Sequence, residues 1–269
     1  MSELYRSFFG LKREPFTADL RIEELLETPA TKDVRQRFHY AVRLGAICVV
    51  TGEVGSGKST ALRWAAHGLH PSEYKPLCVT ATTGAITELY KQIAWNLDME
   101  MNTTSRARLT RAIRSAVLDL VESRKVRPVL IIDEANQLSA DVFTELHVIT
   151  QYRQDSCPIL PIILAGQTAL LDRLSIRSVA PLASRVIARA HIEAVSMTDM
   201  TQYLQHHIQI SGSKLNLFSE QAILAIHQGS GGLYRRANHL ARGALIAAAA
   251  EKCQIVSPEH VRIASTELI

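Results

Sequence analysis

The run Gly52-Glu53-Val54-Gly55-Ser56-Gly57-Lys58-Ser59 has the spacing G-x-x-x-x-G-K-[ST], which suits a loop that wraps the phosphates of a nucleoside triphosphate. Glycines there admit left-handed backbone, so successive N–H groups can turn toward phosphate oxygens. Lys58 would bring a positive charge to the β- and γ-phosphates, and the Ser59 hydroxyl would ligate Mg²⁺. Thr60 opens the helix that follows, whose N-terminal end also favours an anion. A second cluster, Val129-Leu130-Ile131-Ile132-Asp133-Glu134, is an apolar run that ends in two carboxylates. Beside a phosphate site, Asp133 would hold Mg²⁺ and Glu134 would orient and polarise the attacking water.

Three further residues have types that suit the same chemistry. Gln167 follows the run Pro161 to Gly166; it could contact the γ-phosphate or the attacking water, or belong to a helix-opening turn with Thr168 as cap. Arg185 closes a helical stretch at a domain edge, where it could reach a neighbouring subunit's γ-phosphate. Arg173, Arg177 and Arg189 compete for that role, and a surface ion pair worth little is the plain alternative. Arg235 lies in the first turn of a helix opened by Gly231-Gly232, where a cation opposes the helix dipole. A triphosphate nearby would compensate it, and Arg235 is preferred to Arg236.

These groups need a scaffold. Ala46 to Val50, Leu77 to Ala81, Pro128 to Ile132, Leu160 to Ala165 and Ala190 to Val195 read as strands. Helical patterns run over about 32–44, 60–68, 84–98, 105–124, 139–154 and 168–187. Alternating strands and helices, with strands read as continuous apolar runs, indicate an α/β fold with a parallel sheet sandwiched by helices. From Ser196 the pattern turns all-helical, with Ser196 and Ser219 placed as caps and Pro258 at a first helical position. The expected organisation is a lead-in over 1–45 packing on the core, a P-loop α/β domain over 46–195, and a small helical lid domain over 196–269.

The 269 residues are 47% hydrophobic and 21% charged, with a net charge of +4, ordinary for a globular protein and compatible with nucleic-acid contact without arguing for it. Cys48, Cys78, Cys157 and Cys253 are far apart. Most of them read as buried hydrophobes in a reducing compartment. No signal-peptide core or membrane-length apolar run is visible, so a cytoplasmic location with no membrane partner is expected. His67 with His70, and His206 with His207, read as helix-surface residues rather than metal ligands.

Taken together, the glycine loop, the Asp-Glu strand, the polar residue at Gln167, the edge arginine and the helical lid resemble the AAA+ ATPases over nearly the whole chain. More narrowly, Tyr5-Arg6-Ser7-Phe8-Phe9-Gly10-Leu11 with Pro15-Phe16, Thr51 to Lys58, and Leu164-Ala165-Gly166-Gln167 look like the ExeA (general secretion pathway protein A) group. That group is similar to the TniB and TnsC transposition ATPases. The resemblance implies ATP and Mg²⁺ as cofactors, hydrolysis to ADP and phosphate, and a homo-oligomer through the ATP site. It also implies Arg185 as the trans-acting finger, in a Ser-Arg-Val stretch similar to the family's Ser-Arg-Cys element, and Arg235 as the lid sensor. The chain departs from the family pattern by placing Tyr234 where a proline is usual.

Within the resemblance, secretion members continue beyond the lid. The end of this sequence after the lid favours a transposition regulator that assembles in rings or filaments on double-stranded DNA and recruits a DDE-type transposase. An ExeA-like assembly ATPase for secretion or pilus machinery, acting on a protein partner, is the alternative, and a nucleotide-gated scaffold with negligible turnover is a third. The residues themselves offer DNA one cluster, Arg106, Arg108, Arg111 and Arg114, largely off the apolar stripe of their helix, with Lys91 nearby. A solvated helix face would look the same.

Overall fold

The computed structural model describes residues 2–83, 85–153 and 156–266. In chain order the elements are α1 (Ser2–Phe8), α2 (Pro29–Leu44), β1 (Ile47–Gly52), α3 (Lys58–His67), β2 (Tyr74–Thr80), α4 (Ile86–Asn96), α5 (Arg106–Glu122) and β3 (Arg127–Asp133). Then come α6 (Ala140–Thr150), β4 (Ile162–Gly166), α7 (Ala169–Leu174), α8 (Ala180–Ala183), β5 (Val186–Ile192), α9 (Met197–Ile210), α10 (Glu220–Ser230), α11 (Tyr234–Ala250) and α12 (Pro258–Thr266). They form two compact units. A sheet unit comprises Pro29–Gly52 and Lys58–Ile192, and a helical unit comprises Met1–Thr28, Glu53–Gly57 and Glu193–Ile269.

The sheet is parallel, with order β2-β3-β4-β1-β5. Side chains alternate across a strand, so a strand covered on both faces needs apolar residues at every position. The three central strands meet that demand. Ile47, Val49, Leu130, Ile132, Ile162 and Leu164 enter the core on one face, while Cys48, Val50, Val129, Ile131, Ile163 and Ala165 enter the core on the other.

The edge strands are buried on one face only. In β2, Leu77 and Val79 point inward while Cys78 is exposed. Its outward backbone donors are covered by side chains of α4: the Cys78 N–H donates to Asn96 Oδ1 at 3.2 Å and the Thr80 N–H to Gln92 Oε1 at 3.3 Å. This blunts an edge that would otherwise invite another strand. In β5, Ala188, Ala190 and Ile192 point inward and alternate with more exposed residues.

That alternation corrects one expectation. The strand expected over Ala190 to Val195 runs instead over Val186–Ile192, because an edge strand keeps only every second residue apolar and its start is not marked by a continuous apolar run. The helix expected over 168–187 is correspondingly cut into α7, a 3₁₀ turn and α8, with Pro181 in the first turn of α8.

In the helical unit, Ser196 and Ser219 cap α9 and α10 by accepting from the Asp199 and Ala222 N–H groups, both at 3.1 Å. The core gathers Met200, Leu204, Ile226, Leu240, Ala244 and Leu245. The lead-in divides, contrary to the expectation that all of it packs on the sheet domain. Tyr5, Phe9, Leu11 and Phe16 are buried in the helical unit, and only α2 lies against the sheet, through Val34, Phe38, Ala41 and Val42. Arg242 of α11 anchors the segment by donating to the Phe16 carbonyl at 2.7 Å, and its guanidinium lies 3.4 Å from the Glu14 carboxylate. The Tyr5 hydroxyl also donates to Glu14.

Two further readings change. Among the cysteines only Cys48 is buried; Cys157 and Cys253 are half-buried. His207 is not a surface residue: it is 3% exposed, between the rings of Phe16 at 5.3 Å and Tyr203 at 4.4 Å. Among the described residues no helix is long and apolar enough to cross a membrane.

Candidate functional site

In a parallel sheet, loops that can hold a ligand lie at the carboxyl ends of the strands. Strand β1 ends at Gly52, where the glycine loop begins, β3 ends at Asp133, and β4 ends at Gly166, in register with Thr51 and followed by Gln167. Strand order therefore brings to one edge three segments that are remote in sequence.

In the loop, Gly55 and Gly57 have φ of +84° and +97°, left-handed geometry that side chains resist and that turns N–H groups inward. Lys58 is the first residue of α3 and is only 6% exposed. Its ammonium donates to the Gly52 carbonyl at 2.9 Å, so the buried charge is held at the neck of the loop. Ser56 Oγ is buried with no hydrogen-bond partner. Glu53, Val54, Ser59 and Thr60 are exposed.

From the first turn of α3, the Ser59 hydroxyl donates across to Asp133 Oδ2 at 2.6 Å. The other carboxylate oxygen, Oδ1, accepts the Glu134 N–H at 2.8 Å. Glu134 has φ of +54°, a left-handed conformation that costs a residue with a side chain roughly 1 kcal/mol. This sharp turn at the strand end leaves the Glu134 side chain partly exposed.

Asn136, in the 3₁₀ turn that follows, escaped the sequence reading. Its Oδ1 accepts the Gln167 N–H at 2.9 Å. A Cβ built on Gly166 would overlap that same amide, so only glycine lets β4 end against it. Asn136 thus ties the end of β3 to the end of β4 and fixes where Gln167 starts. The one available signal was an asparagine two places after the Asp-Glu pair, which means nothing until the strand order is known.

Arg185 lies at the other end of the sheet. Its carbonyl accepts the N–H of Ile47, the first residue of β1, at 3.1 Å, and its guanidinium donates to Thr150 Oγ1 at 3.3 Å. At about 3.3 Å per residue, the length of β1 separates it from the glycine loop of its own chain. Arg173, Arg177 and Arg189 are exposed.

Within the helical unit, the Arg235 N–H donates to the Gly55 carbonyl at 3.2 Å, and a Cβ on Gly55 would lie 2.7 Å from that of Arg235. Tyr234, which stands in place of the usual proline, packs its ring on Tyr203 at 4.4 Å and starts α11.

The basic cluster proposed for DNA is divided. Arg106 pairs with Glu145 of α6 at 2.7 Å. Arg114 donates to the carbonyls of Val148, at 2.9 Å, and Gln151, and lies over the Tyr152 ring at 5.0 Å. Arg108 and Arg111 are exposed, and Lys91 is half-buried on α4.

The sheet order, the glycine loop and the Asp-Glu strand end define a P-loop NTPase fold. Residues 42–174 match the family model described as AAA domain. The chain is 27% identical over 267 residues to general secretion pathway protein A of Aeromonas hydrophila, covering 98% of this chain and 48% of that protein, so it spans about half the relative's length. Its fold is similar to Cdc6p of Pyrobaculum aerophilum, with TM-score 0.76, 15% identity, and coverage of 94% of this chain and 70% of that one. It is also similar to Aeropyrum pernix ORC1, solved in complex with DNA, with TM-score 0.70, 15% identity, and coverage of 94% and 68%. The structural likenesses speak to fold alone. Over residues 42–174 the chain is thus similar to AAA domains, and over most of its length to the secretion relative.

Proposed function

We propose that this chain is an AAA+ ATPase that binds ATP with Mg²⁺, hydrolyses it, and acts as an ExeA-like assembly ATPase on a protein partner. The observation that carries the ATPase reading is the 2.6 Å hydrogen bond from Ser59 to Asp133. It places a hydroxyl and a carboxylate, both hard oxygen donors suited to Mg²⁺, beside the glycine loop. The donor set fits the nucleotide as well: a buried ammonium at Lys58, inward-turned loop geometry at Gly55 and Gly57, and an unpartnered buried hydroxyl at Ser56.

In this reading Lys58 and the loop N–H groups of Gly52 to Thr60 bind the phosphates. Ser59 and Asp133 hold Mg²⁺, which when bound offsets the charge that builds on the phosphate oxygens. Glu134 accepts a proton from water as the water oxygen bonds to the γ-phosphorus; the bond to the bridging oxygen breaks and its electron pair leaves with ADP. Gln167 orients that water. Arg185, remote from its own loop, serves a neighbouring subunit's site in a homo-oligomer, and Arg235 senses the nucleotide from the helical unit.

The protein-partner reading is favoured over transposition because the named relative is a secretion-pathway protein. The neighbour solved with DNA is 15% identical and speaks to fold alone. The division of the arginine cluster also leaves fewer free cations for a phosphate backbone than expected. Phosphate release by wild type and Glu134→Gln tests the enzyme: a fall of about a hundredfold or more is expected, and equal rates would leave only a nucleotide-gated scaffold. Anisotropy of a labelled duplex, with and without ATP at low and high salt, tests the partner. Salt-sensitive, ATP-dependent DNA binding that stimulates turnover would return the transposition reading.

A further inference from the structure

We propose that the groove between α5 and α6 is a docking site for an acidic, apolar-anchored segment of a protein partner, an inference that rests on the protein-partner reading above. The groove is shallow and open to solvent, with about 680 Å³ of accessible space, enough to seat a few side chains. Ala107, Leu118 and Val148 supply apolar lining, and Val148 is 39% exposed.

Charge identifies the occupant. The groove is lined by Arg106, Arg111 and Arg114 against a single carboxylate, Glu145. Glu145 is taken by Arg106 at 2.7 Å. Arg114 is directed at backbone carbonyls and the Tyr152 ring, which position its guanidinium without neutralising its charge. Arg111 is exposed and makes no hydrogen bond or ion pair among the described residues. Two positive charges therefore flank an apolar concavity, and one of them is held in place before any ligand arrives, which lowers the ordering cost of binding.

An acidic segment with an aliphatic or aromatic anchor satisfies both features. A nucleic-acid duplex satisfies only one. Its phosphates need several free cations on an accessible face, whereas this groove offers only Arg111 and Arg114 beyond the Arg106–Glu145 pair, and its backbone has nothing apolar to place against Val148.

The test uses the full chain and a displayed library of random short peptides. Peptides are selected on wild type and measured by anisotropy against wild type, Arg111→Glu and Val148→Asp, with a labelled DNA duplex in parallel. Enrichment of Asp or Glu beside Leu, Ile or Phe is expected. Each substitution should weaken the selected peptides by about tenfold, with salt weakening them further and with thermal melting and ATP turnover unchanged.

Three results would overturn the proposal: no enrichment, peptides indifferent to both substitutions, or a duplex that displaces the peptides and responds to Arg111→Glu but not to Val148→Asp. The last would make this face a nucleic-acid surface and count against the protein-partner reading too. Failed selection with turnover intact removes the groove alone, and absent turnover removes the ATPase reading without touching the peptide result.

Discussion

Ser59 Oγ and Asp133 Oδ2 are 2.6 Å apart, although 73 residues stand between them (133 − 59 − 1). One belongs to the first turn of α3 and the other ends β3, and they meet because the parallel order sets β1 and β3 on either side of β4. The bond holds the hydroxyl and the carboxylate in the geometry a shared cation would use. Asp133 needs no further orientation, since its second oxygen is held by the Glu134 N–H.

Asp133→Asn therefore tests the metal-binding half of the site. The amide keeps one acceptor for the Glu134 N–H but removes the charge that would hold Mg²⁺. ATP turnover should fall by about a hundredfold or more, and the Mg²⁺ concentration for half-maximal rate should rise. Thermal melting without nucleotide should move little, because the group is half-exposed. A metal titration of turnover checks this, and an unchanged Mg²⁺ dependence would remove Asp133 from the metal site.

Asn136→Ala is expected to act through position rather than contact. It deprives the Gln167 N–H of its acceptor, at a cost of about 1–2 kcal/mol, and it frees the end of β4 from the end of β3. The expected outcome is a fall of about tenfold in kcat with little change in KM, since Asn136 has no role in holding the phosphates. Asn136→Asp retains an acceptor and should recover much of the loss in melting temperature. Equal losses in the two variants would show that shape alone matters there.

How much of this was readable in advance follows from the period of each element. Strands β1, β3 and β4 carry unbroken apolar runs, Ile47 to Val50, Pro128 to Ile132 and Ile162 to Ala165, because both faces are buried there, so they stand out. Strand β5 carries Arg189 and His191 on its outer face and resembles the end of a helix until its neighbour is known. The glycine loop and Asp133-Glu134 were legible because each is contiguous. Asn136 was not, because its partner Gln167 lies 31 residues away and only the adjacency of β3 and β4 joins them. The buried His207 was hidden for the same reason, as Phe16 covers it from the far end of the helical unit's chain segments.

Gly45 should tolerate no side chain. It follows α2 with φ of +68°, and a Cβ there would overlap the Pro158 carbonyl, a backbone group that cannot swing aside. Left-handed strain and overlap together suggest a cost of about 3 kcal/mol or more for Gly45→Ala. Gly10, at φ of +66° with open space around it, would meet the strain alone, about 1 kcal/mol for Gly10→Ala. Denaturant unfolding of the two variants should rank them in that order. Equal losses would mean that the contact with Pro158 relaxes.

Acid should destabilise the helical unit through His207. Burial between Phe16 and Tyr203, then the nearby His206 and Arg13, lower its pKa from 6.5 to about 3. The imidazole is therefore neutral when folded and takes up a proton when unfolded at mildly acidic pH. Since the unfolded chain binds the extra proton, stability contributed by this group is full above the unfolded pKa and falls as pH drops from about 6.5 toward 3. At about pH 5 the loss is on the order of 2 kcal/mol. His207→Leu removes the titration while keeping an apolar body against both rings, so its melting temperature should decline less between neutral pH and about pH 5 than that of wild type. His39, also lowered mainly by burial, belongs to the sheet unit and titrates in both proteins, so the difference between them isolates His207. Parallel pH profiles for wild type and variant would show that His207 becomes protonated without unfolding.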